Sequence, residues 1–452
     1  MVQRRILSRD ANMRLRNGDL ENAQRGLIAL IRSAPHDMDA RLRCADGLLA
    51  GGHAQDAVAA YAFVAKESAL AGHPLKAIVA LKILTAIDPA AGELLVALAS
   101  RYSSESPILG RSVRMAPPDP DAEVPTAAFV PNELNASQIG ELAAKVATNR
   151  EGLPGYPETV APIPLLSELP AGGFAHILGA VVLKRIPAGE VVIREGEPGD
   201  AFFMVARGSM RVSKRTGGPG SGMATGGSAD VVLATLGEGS IFGEMALVSA
   251  APRAATVAAD EDADVLVFGR DALQSVAREL SVVAAALERF TRQRLLANLL
   301  ATHPLFKPFD RAQRQQLAGR FSAHDATPGT VLIREGDAGR GLFLILSGEV
   351  DVTKVDGTDR VMLATLKSGD VFGEISLIEK SATTATVTAA RQTTVMFLAR
   401  EYFEKLVQGV AELRAYFEQL AEDRRMDTNL TLSTSREAGI EIDVFADETV
   451  LV

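Results

Sequence analysis

Residues 242–257 read FGEMALVSAAPRAATV, and within this short run lie groups suited to holding one small anion carried on a sugar. Phe242 ends a β-type run, and Gly243 lets the backbone turn sharply. Glu244 supplies a carboxylate that accepts hydrogen bonds from a sugar hydroxyl. Met245 to Val248 read as one short helical turn, whose free N–H groups cradle a phosphate. Arg253 arrives after a Pro-marked turn and offers a planar cationic fork matched to phosphate oxygens. Gly243, Met245 and Ala246 would contribute backbone groups, so the side chains that matter are those of Glu244 and Arg253.

A second copy follows. VFGEISLIEKSATTATV, residues 371–387, repeats the motif 130 positions later, Phe372 against Phe242. Upstream the offset is 140: Pro164-Leu165 against Pro304-Leu305, Gly189 against Gly329, and IREGEPG at 193–199 against IREGDAG at 333–339. Phe203 and Gly208 likewise match Phe343 and Gly348. The difference is an insertion in the first copy, where TGGPGSGMATGGSAD (216–230) replaces a short turn near Asp356-Gly357. That glycine-rich stretch lacks the Gly-Lys-Ser/Thr ending of a nucleoside-triphosphate loop and reads as a hairpin tip. Two copies of one unit therefore fill about 163–425.

The motif resembles the phosphate-binding cassette of cyclic nucleotide-binding domains, as in the regulatory subunit of cAMP-dependent protein kinase and the catabolite activator protein. The resemblance implies a receptor with no catalytic machinery, whose first site comprises Gly243, Glu244, Met245, Ala246, Arg253 and Ala254. In kinase-type domains of this family a Thr or Ser after the arginine goes with cGMP, so Ala254 points to cAMP as the preferred ligand, with cGMP second. The corresponding second set is Gly373, Glu374, Ile375, Ser376, Thr383 and Thr384. There Thr383 stands where the first copy has Arg253, leaving a cyclic phosphate without its cation. A silent structural domain is the favoured reading of that copy, and a site for a weaker or different ligand is the other. By the family mechanism, phosphate capture draws the cassette helix inward and segment 270–300 repacks over the base, with Phe290, Leu295, Leu296 and Leu299 as lid candidates.

The elements that must position these residues are legible as periodicity. Each copy opens with a short helical stretch (165–180, 305–320) and continues in glycine-punctuated alternation such as DAFFMVARGSMRVSK and GLFLILSGEVDVTK. It closes with a longer helical segment, 270–300 or 400–424. Short strands of this kind fold as a β jelly roll. Before them, residues 8–100 are Ala- and Leu-rich with helical periodicity. Gly18, Ala23 and Pro35 form a spacing that Gly52 and Ala57 repeat 34 residues on, and that Gly72, Ala77 and Pro89 repeat after a shorter interval. Small residues here let paired helices approach closely, and the prolines end the second helix of a pair. The pattern resembles degenerate tetratricopeptide repeats.

The expected architecture is therefore α+β and multidomain. It comprises helical repeats at 8–100, a Pro/Ser-rich linker at 104–163 with one helix near 134–148, jelly-roll domains at 164–300 and 301–424 with flanking helices, and an acidic flexible tail at 425–452. From 421 to the end there are eight acidic and three basic residues.

Bulk properties narrow the function. A net charge of −9 without a large basic tract argues against nucleic acid as a partner. No apolar run reaches membrane-spanning length, and the six histidines lack paired metal-ligand spacing, so neither membrane nor metal is expected. One cysteine, Cys44, fits a cytoplasmic protein without disulfides. The expected function is a cAMP receptor that regulates a protein partner held by the N-terminal repeats. The alternatives are a scaffold with vestigial nucleotide sites, or a cAMP-responsive transcription regulator, which would need a helix-turn-helix after its barrel.

Overall fold

A computed structural model of the chain describes residues 2–110, 114–216, 229–244 and 253–438. It divides into two compact units, Met1–Phe290 and Thr291–Val452. In the first unit a short strand, β1 (Val2–Gln3), leads into helices α1 (Arg4–Arg16), α2 (Leu20–Ser33), α3 (Met38–Ala50), α4 (Ala54–Leu70), α5 (Pro74–Ile87) and α6 (Gly92–Tyr102). Gly18, Gly52 and Gly72 sit at the turns after α1, α3 and α4 with φ of 79°, 82° and 83°, a left-handed conformation that favours glycine. Ala23, Ala57 and Ala77, each five residues further on, have no exposed surface, as close helix packing requires. Asp19 and Asp37 cap the starts of α2 and α3 by accepting from the Asn22 and Ala40 amides. The helical region begins at Arg4, four residues before the boundary expected from the sequence. The shorter repeat interval has a structural origin: α4 is one continuous helix packed against both α3 and α5.

Residues 104–163 differ from a loose linker. β2 (Glu123–Val124) pairs with β1, and α7 (Ala136–Ala147) packs against α2 and α3. Val124, Val130, Ile139, Ala143, Val160 and Ile163 are buried in the core of the unit. Carbonyls left unpaired in the turn before α7 and at its C-terminal end are met by two arginines. Arg25 donates to the Pro131 and Leu134 oxygens, at 2.7 and 2.6 Å. The buried Arg41 donates to Val146, Ala147 and Asn149 at 2.8–2.9 Å. Composition indicated a linker, while the arginines that fasten it lie about a hundred residues upstream.

The first barrel follows helix α8 (Ala171–Ala180). Its strands are β3 (Val182–Ile186), β4 (Val191–Ile193), β5 (Ala201–Arg207), β6 (Met210–Thr216), β7 (Ala229–Leu236), β8 (Ile241–Phe242), β9 (Thr256–Ala259) and β10 (Ala263–Gly269). They form two antiparallel four-stranded sheets, ordered β3-β10-β5-β8 and β4-β9-β6-β7. α9 (Arg270–Glu279) and α10 (Ser281–Thr302) close the domain, with a break at Leu280, and the division between the units falls inside α10. A single hydrophobic core runs from Leu7 through the helical region to Phe202, Phe268 and Phe290. The helices and the first barrel therefore make one folding unit.

The second unit contains α11 (Arg311–Ala318) and then β11 (Ser322–Ala326), β12 (Val331–Ile333), β13 (Gly341–Ser347), β14 (Glu349–Asp356), β15 (Asp359–Lys367) and β16 (Val371–Phe372). α12 (Glu374–Ile378), β17 (Thr386–Ala389), β18 (Thr393–Ala399), α13 (Arg400–Gly409) and α14 (Ala411–Ala438) complete it. Its sheets, β11-β18-β13-β16 and β12-β17-β14-β15, repeat the first barrel strand for strand. The expected tail needs correction over its first part: residues 425–438 continue α14. Phe417 and Ala421 anchor that helix in the unit, and helical hydrogen bonding carries it onward despite weak periodicity.

Candidate functional site

In the first barrel, β5 and β8 set Phe203 opposite Phe242, with rings stacked 5.1 Å apart. Gly243 then turns with φ of 75°, where an added Cβ would lie 2.7 Å from Nη1 of Arg253 and 3.0 Å from Ile193. The backbone of Arg253 is clamped on both sides: its N–H donates to Glu197 at 2.8 Å, and its carbonyl accepts from Gly196 at 2.9 Å. Its guanidinium donates from Nη1 to the Gly243 oxygen and from Nη2 to the Ala201 oxygen, each at 2.8 Å. It also sits 5.9 Å from the Phe203 ring centroid. Burial lowers its pKa, Asp200 and Glu244 pull it up, and Arg270 lowers it further. A guanidinium ordinarily titrates so far above neutrality that the group stays cationic. The structure thus brings Gly243, Glu244 and Arg253 together, with Ala254 exposed beside them. Met245 and Ala246 lie outside the described residues, as does most of the insertion 216–230.

Two participants escaped the sequence reading. Gly199 ends the repeated IREGEPG run, and a Cβ there would fall on the guanidinium of Arg253. Its φ lies outside the left-handed region, so the need is for space beside the arginine. Gly199→Ala should therefore leave the fold intact and weaken binding of an anionic ligand at Arg253 by about 1.5–3 kcal/mol, roughly 10- to 150-fold. Calorimetric titration beside a circular-dichroism melt checks this, and unchanged affinity would refute it. Arg270, the first residue of α9, is the second, because its charge acts on Arg253. The signal was available in its counterpart Arg400, 130 positions on at the start of α13.

Phe290 is placed elsewhere than a lid. It packs 5.6 Å from Phe202, which stacks on Phe268 at 4.4 Å. Phe202 and Phe203 are neighbours on one strand and point to opposite faces, so Phe290 lies on the face away from Arg253. In this structure it is core. Leu295 is buried, and Leu296 and Leu299 are partly buried.

The second barrel reproduces the scaffold and changes the chemistry. Phe343 stacks on Phe372 at 4.8 Å, and Gly373 turns with φ of 86°. Thr383 is clamped as Arg253 is, its N–H donating to Asp337 at 2.9 Å and its carbonyl accepting from Gly336 at 2.9 Å. Its hydroxyl donates to the Arg334 and Asp337 carbonyls, at 2.5 and 3.1 Å. The Thr384 carbonyl accepts from Lys354 at 2.8 Å. Glu374 is 1% exposed, and its Oε1 accepts from Arg424 of α14 at 2.7 Å. Arg424 also donates to the Val371 oxygen at 2.7 Å. A cavity of about 230 Å³ remains, lined by Gly373, Glu374, Ile375, Ser376, Thr383 and Thr384 among others. The structure gathers all six residues of the second set. It adds Arg424, Asp427 and Thr428 from the segment expected to be tail and its border.

Among the described residues, no group of three or more His, Cys, Asp or Glu is placed to hold a metal ion, and no helix is long and apolar enough to cross a membrane. The family model for the cyclic nucleotide-binding domain matches residues 183–279 and 324–409. The cAMP-dependent protein kinase regulatory subunit of Colletotrichum orbiculare is 33% identical over 266 residues, which cover 56% of this chain and 63% of that protein. That of Pyricularia oryzae is 34% identical over 248 residues, covering 54% and 60%. The regulatory domain of Toxoplasma gondii PKA, crystallised with cAMP, is 26% identical and covers 57% of this chain and 92% of that one, with a TM-score of 0.27. The chain spans about three fifths of the length of the curated relatives it matches. The two stretches that match the cyclic nucleotide-binding domain, and that resemble the regulatory subunits of cAMP-dependent protein kinase in sequence, carry the two cassettes.

Proposed function

We propose that this protein is a cAMP receptor, without catalytic activity, that regulates a protein partner, with the first barrel as its working site. The observation that carries the reading is Arg253, a half-buried cation fixed by two carbonyls at the mouth of the Gly243–Glu244 turn. A cyclic phosphate would take over those two hydrogen bonds as charge-assisted ones, and Glu244 would accept from the ribose. Calorimetry should find one cAMP per chain at this site, bound more tightly than cGMP because Ala254 offers no hydroxyl to the guanine amino group. Two equivalent sites, or no heat at millimolar cAMP, would overturn it.

Regulation of a kinase catalytic subunit is the partner reading that the relatives' names support. The helical region is its proposed surface, a member of the tetratricopeptide class working in the cytoplasm. The physical support is that these helices grip the approach to the first cassette. Glu238, between β7 and β8, lies 4.0 Å from Lys76 and 3.6 Å from Arg114, and Lys76 is paired with Asp39 at 2.7 Å. Movement of the cassette is thereby felt in α3 and α5. Linkage requires the partner to change cAMP affinity by the factor by which cAMP changes partner affinity. Pull-downs with the full chain, with and without cAMP and with Arg253→Ala as control, should show a cAMP-dependent partner only where Arg253 is intact. Capture that ignores cAMP in both chains would remove the regulatory role.

A further inference from the structure

We propose that the first unit binds a small organic monocarboxylate in a cavity between its helices and its barrel, at a site separate from both cassettes.

The cavity measures about 310 Å³, at the small end of the roughly 300–1,000 Å³ usual for ligand pockets. Residues of α1 and α3 form one side of it, and the ends of β3 and β10 with their flanking turns form the other. Its charged lining is Arg16, Arg43 and Arg185 with Asp46, Asp262 and Asp264. Arg16 and Asp262 cancel as a pair at 2.9 Å. The other groups do not cancel. Asp46 and Asp264 are the two carboxylates of a web that holds three guanidiniums, those of Arg43, Arg185 and Arg207. Asp39, whose charge also reaches Asp264, is matched by Lys76 at 2.7 Å. One positive charge is therefore left over, and any proton that burial drives onto Asp264 enlarges the surplus.

Geometry turns that surplus toward the cavity. Asp264 has no exposed surface and the Asp46 side chain is 9% exposed, so the carboxylates lie beneath. Arg185 and Arg16 keep 36% and 47% of their side chains open. Arg185 meets both acids through ion pairs alone, and its guanidinium donates no hydrogen bond among the described residues. Its N–H groups are thus available for a charge-assisted fork onto a carboxylate. A cation would add to the surplus, and a dianion would bring more charge than the web leaves unmatched. Leu15, Ala50, Ile186 and Pro187 complete the wall and give a hydrocarbon body apolar surface to cover. Because helices and barrel both line the cavity, a bound ligand holds the two together and raises the melting temperature by mass action.

Calorimetry and thermal melts of the full-length protein test this with 4-methylpentanoate and benzoate as probes. At least one of them should bind once per chain below millimolar concentration and raise the melting temperature. The neutral isostere 4-methylpentanamide should bind at least about tenfold more weakly than 4-methylpentanoate, since charge-assisted hydrogen bonds are lost. Acetate, which has the charge without the body, and inorganic phosphate should both bind more weakly than the better probe. Arg16→Gln breaks an exposed pair that adds little stability, and should weaken the probe at least about tenfold. Ala50→Met narrows the cavity without touching a charge and should weaken it as well. Arg253→Ala should leave the probe's affinity unchanged, which separates this cavity from the first cassette. The proposal is overturned if neither probe binds at millimolar concentration, if the amide binds as well as its acid, or if phosphate binds more tightly than both probes. It is overturned equally if Arg16→Gln and Ala50→Met leave the affinity unchanged, or if Arg253→Ala removes it.

Discussion

Arg253→Ala is expected to weaken cAMP binding to the full-length protein by about 30- to several-thousand-fold, the cost of about 2–5 kcal/mol for stripping the partner from a partly buried charge. Thr383→Ala should leave the same binding unchanged. The contrast follows from equivalent backbones carrying different side chains. Both positions are clamped by one donated and one accepted hydrogen bond to the IREG turn before β5 or β13, so neither substitution disturbs a strand. Arg253 lends two N–H groups that already rest on carbonyl oxygens 2.8 Å away, and an incoming phosphate has only to displace those weaker acceptors. Thr383 has no comparable group to lend. Arg253→Lys separates charge from geometry: it keeps the cation, loses the fork, and should fall between the two. Isothermal titration of the three variants measures all of this, and equal losses from Arg253→Ala and Thr383→Ala would show that the working site lies elsewhere.

That contrast was readable in the sequence because the cassette is local. Phe242, Gly243, Glu244 and Arg253 fall within a dozen residues, and short-range spacing carries their geometry with it. The internal repeat supplied the barrels for the same reason: two copies share a pattern, and both fold into the same strand order. The features that escaped are those made by distant partners. Gly199 gave no hint that it clears room for a guanidinium more than fifty positions away. Residues 104–163 read as linker, since composition reports what a segment can do alone and is blind to Arg25 and Arg41 holding its carbonyls. Arg424 was invisible for a similar reason. It lies where periodicity fades, yet it reaches back fifty positions to Glu374 and makes that carboxylate tolerable in the interior.

Asp264→Ala should destabilise the first unit by about 3–5 kcal/mol, the usual result of breaking a buried ion pair from one side. Asp264, on β10, has no exposed surface and faces three arginines. Arg207 Nε is 2.7 Å away, and Arg43 of α3 and Arg185 of β3 are each 3.6 Å away. Burial pushes its carboxyl above the ordinary value, and Arg43 and Arg185 pull it back. The net charge at Arg43 is held in the opposite sense: burial lowers its pKa, but Asp264 and Asp46 outweigh that and raise it. Asp46 extends the network into the helices, accepting from Arg43 at 2.9 Å and from the Tyr61 hydroxyl at 2.5 Å, and pairing with the Arg185 charge at 2.8 Å. Removing Asp264 thus strands positive charge on both sides of the seam between helical region and barrel. Because one hydrophobic core crosses that seam, the two should still unfold together, at a lower urea midpoint. An Arg43→Ala, Asp264→Ala double-mutant cycle isolates the coupling across the seam, where each single change should cost more beside the intact partner than beside its absence. A loss below about 1 kcal/mol for Asp264→Ala, the value typical of an exposed pair, would mean that apolar packing alone joins the helices to the barrel. In that case cassette movement would have to reach them through Glu238 and its cationic neighbours.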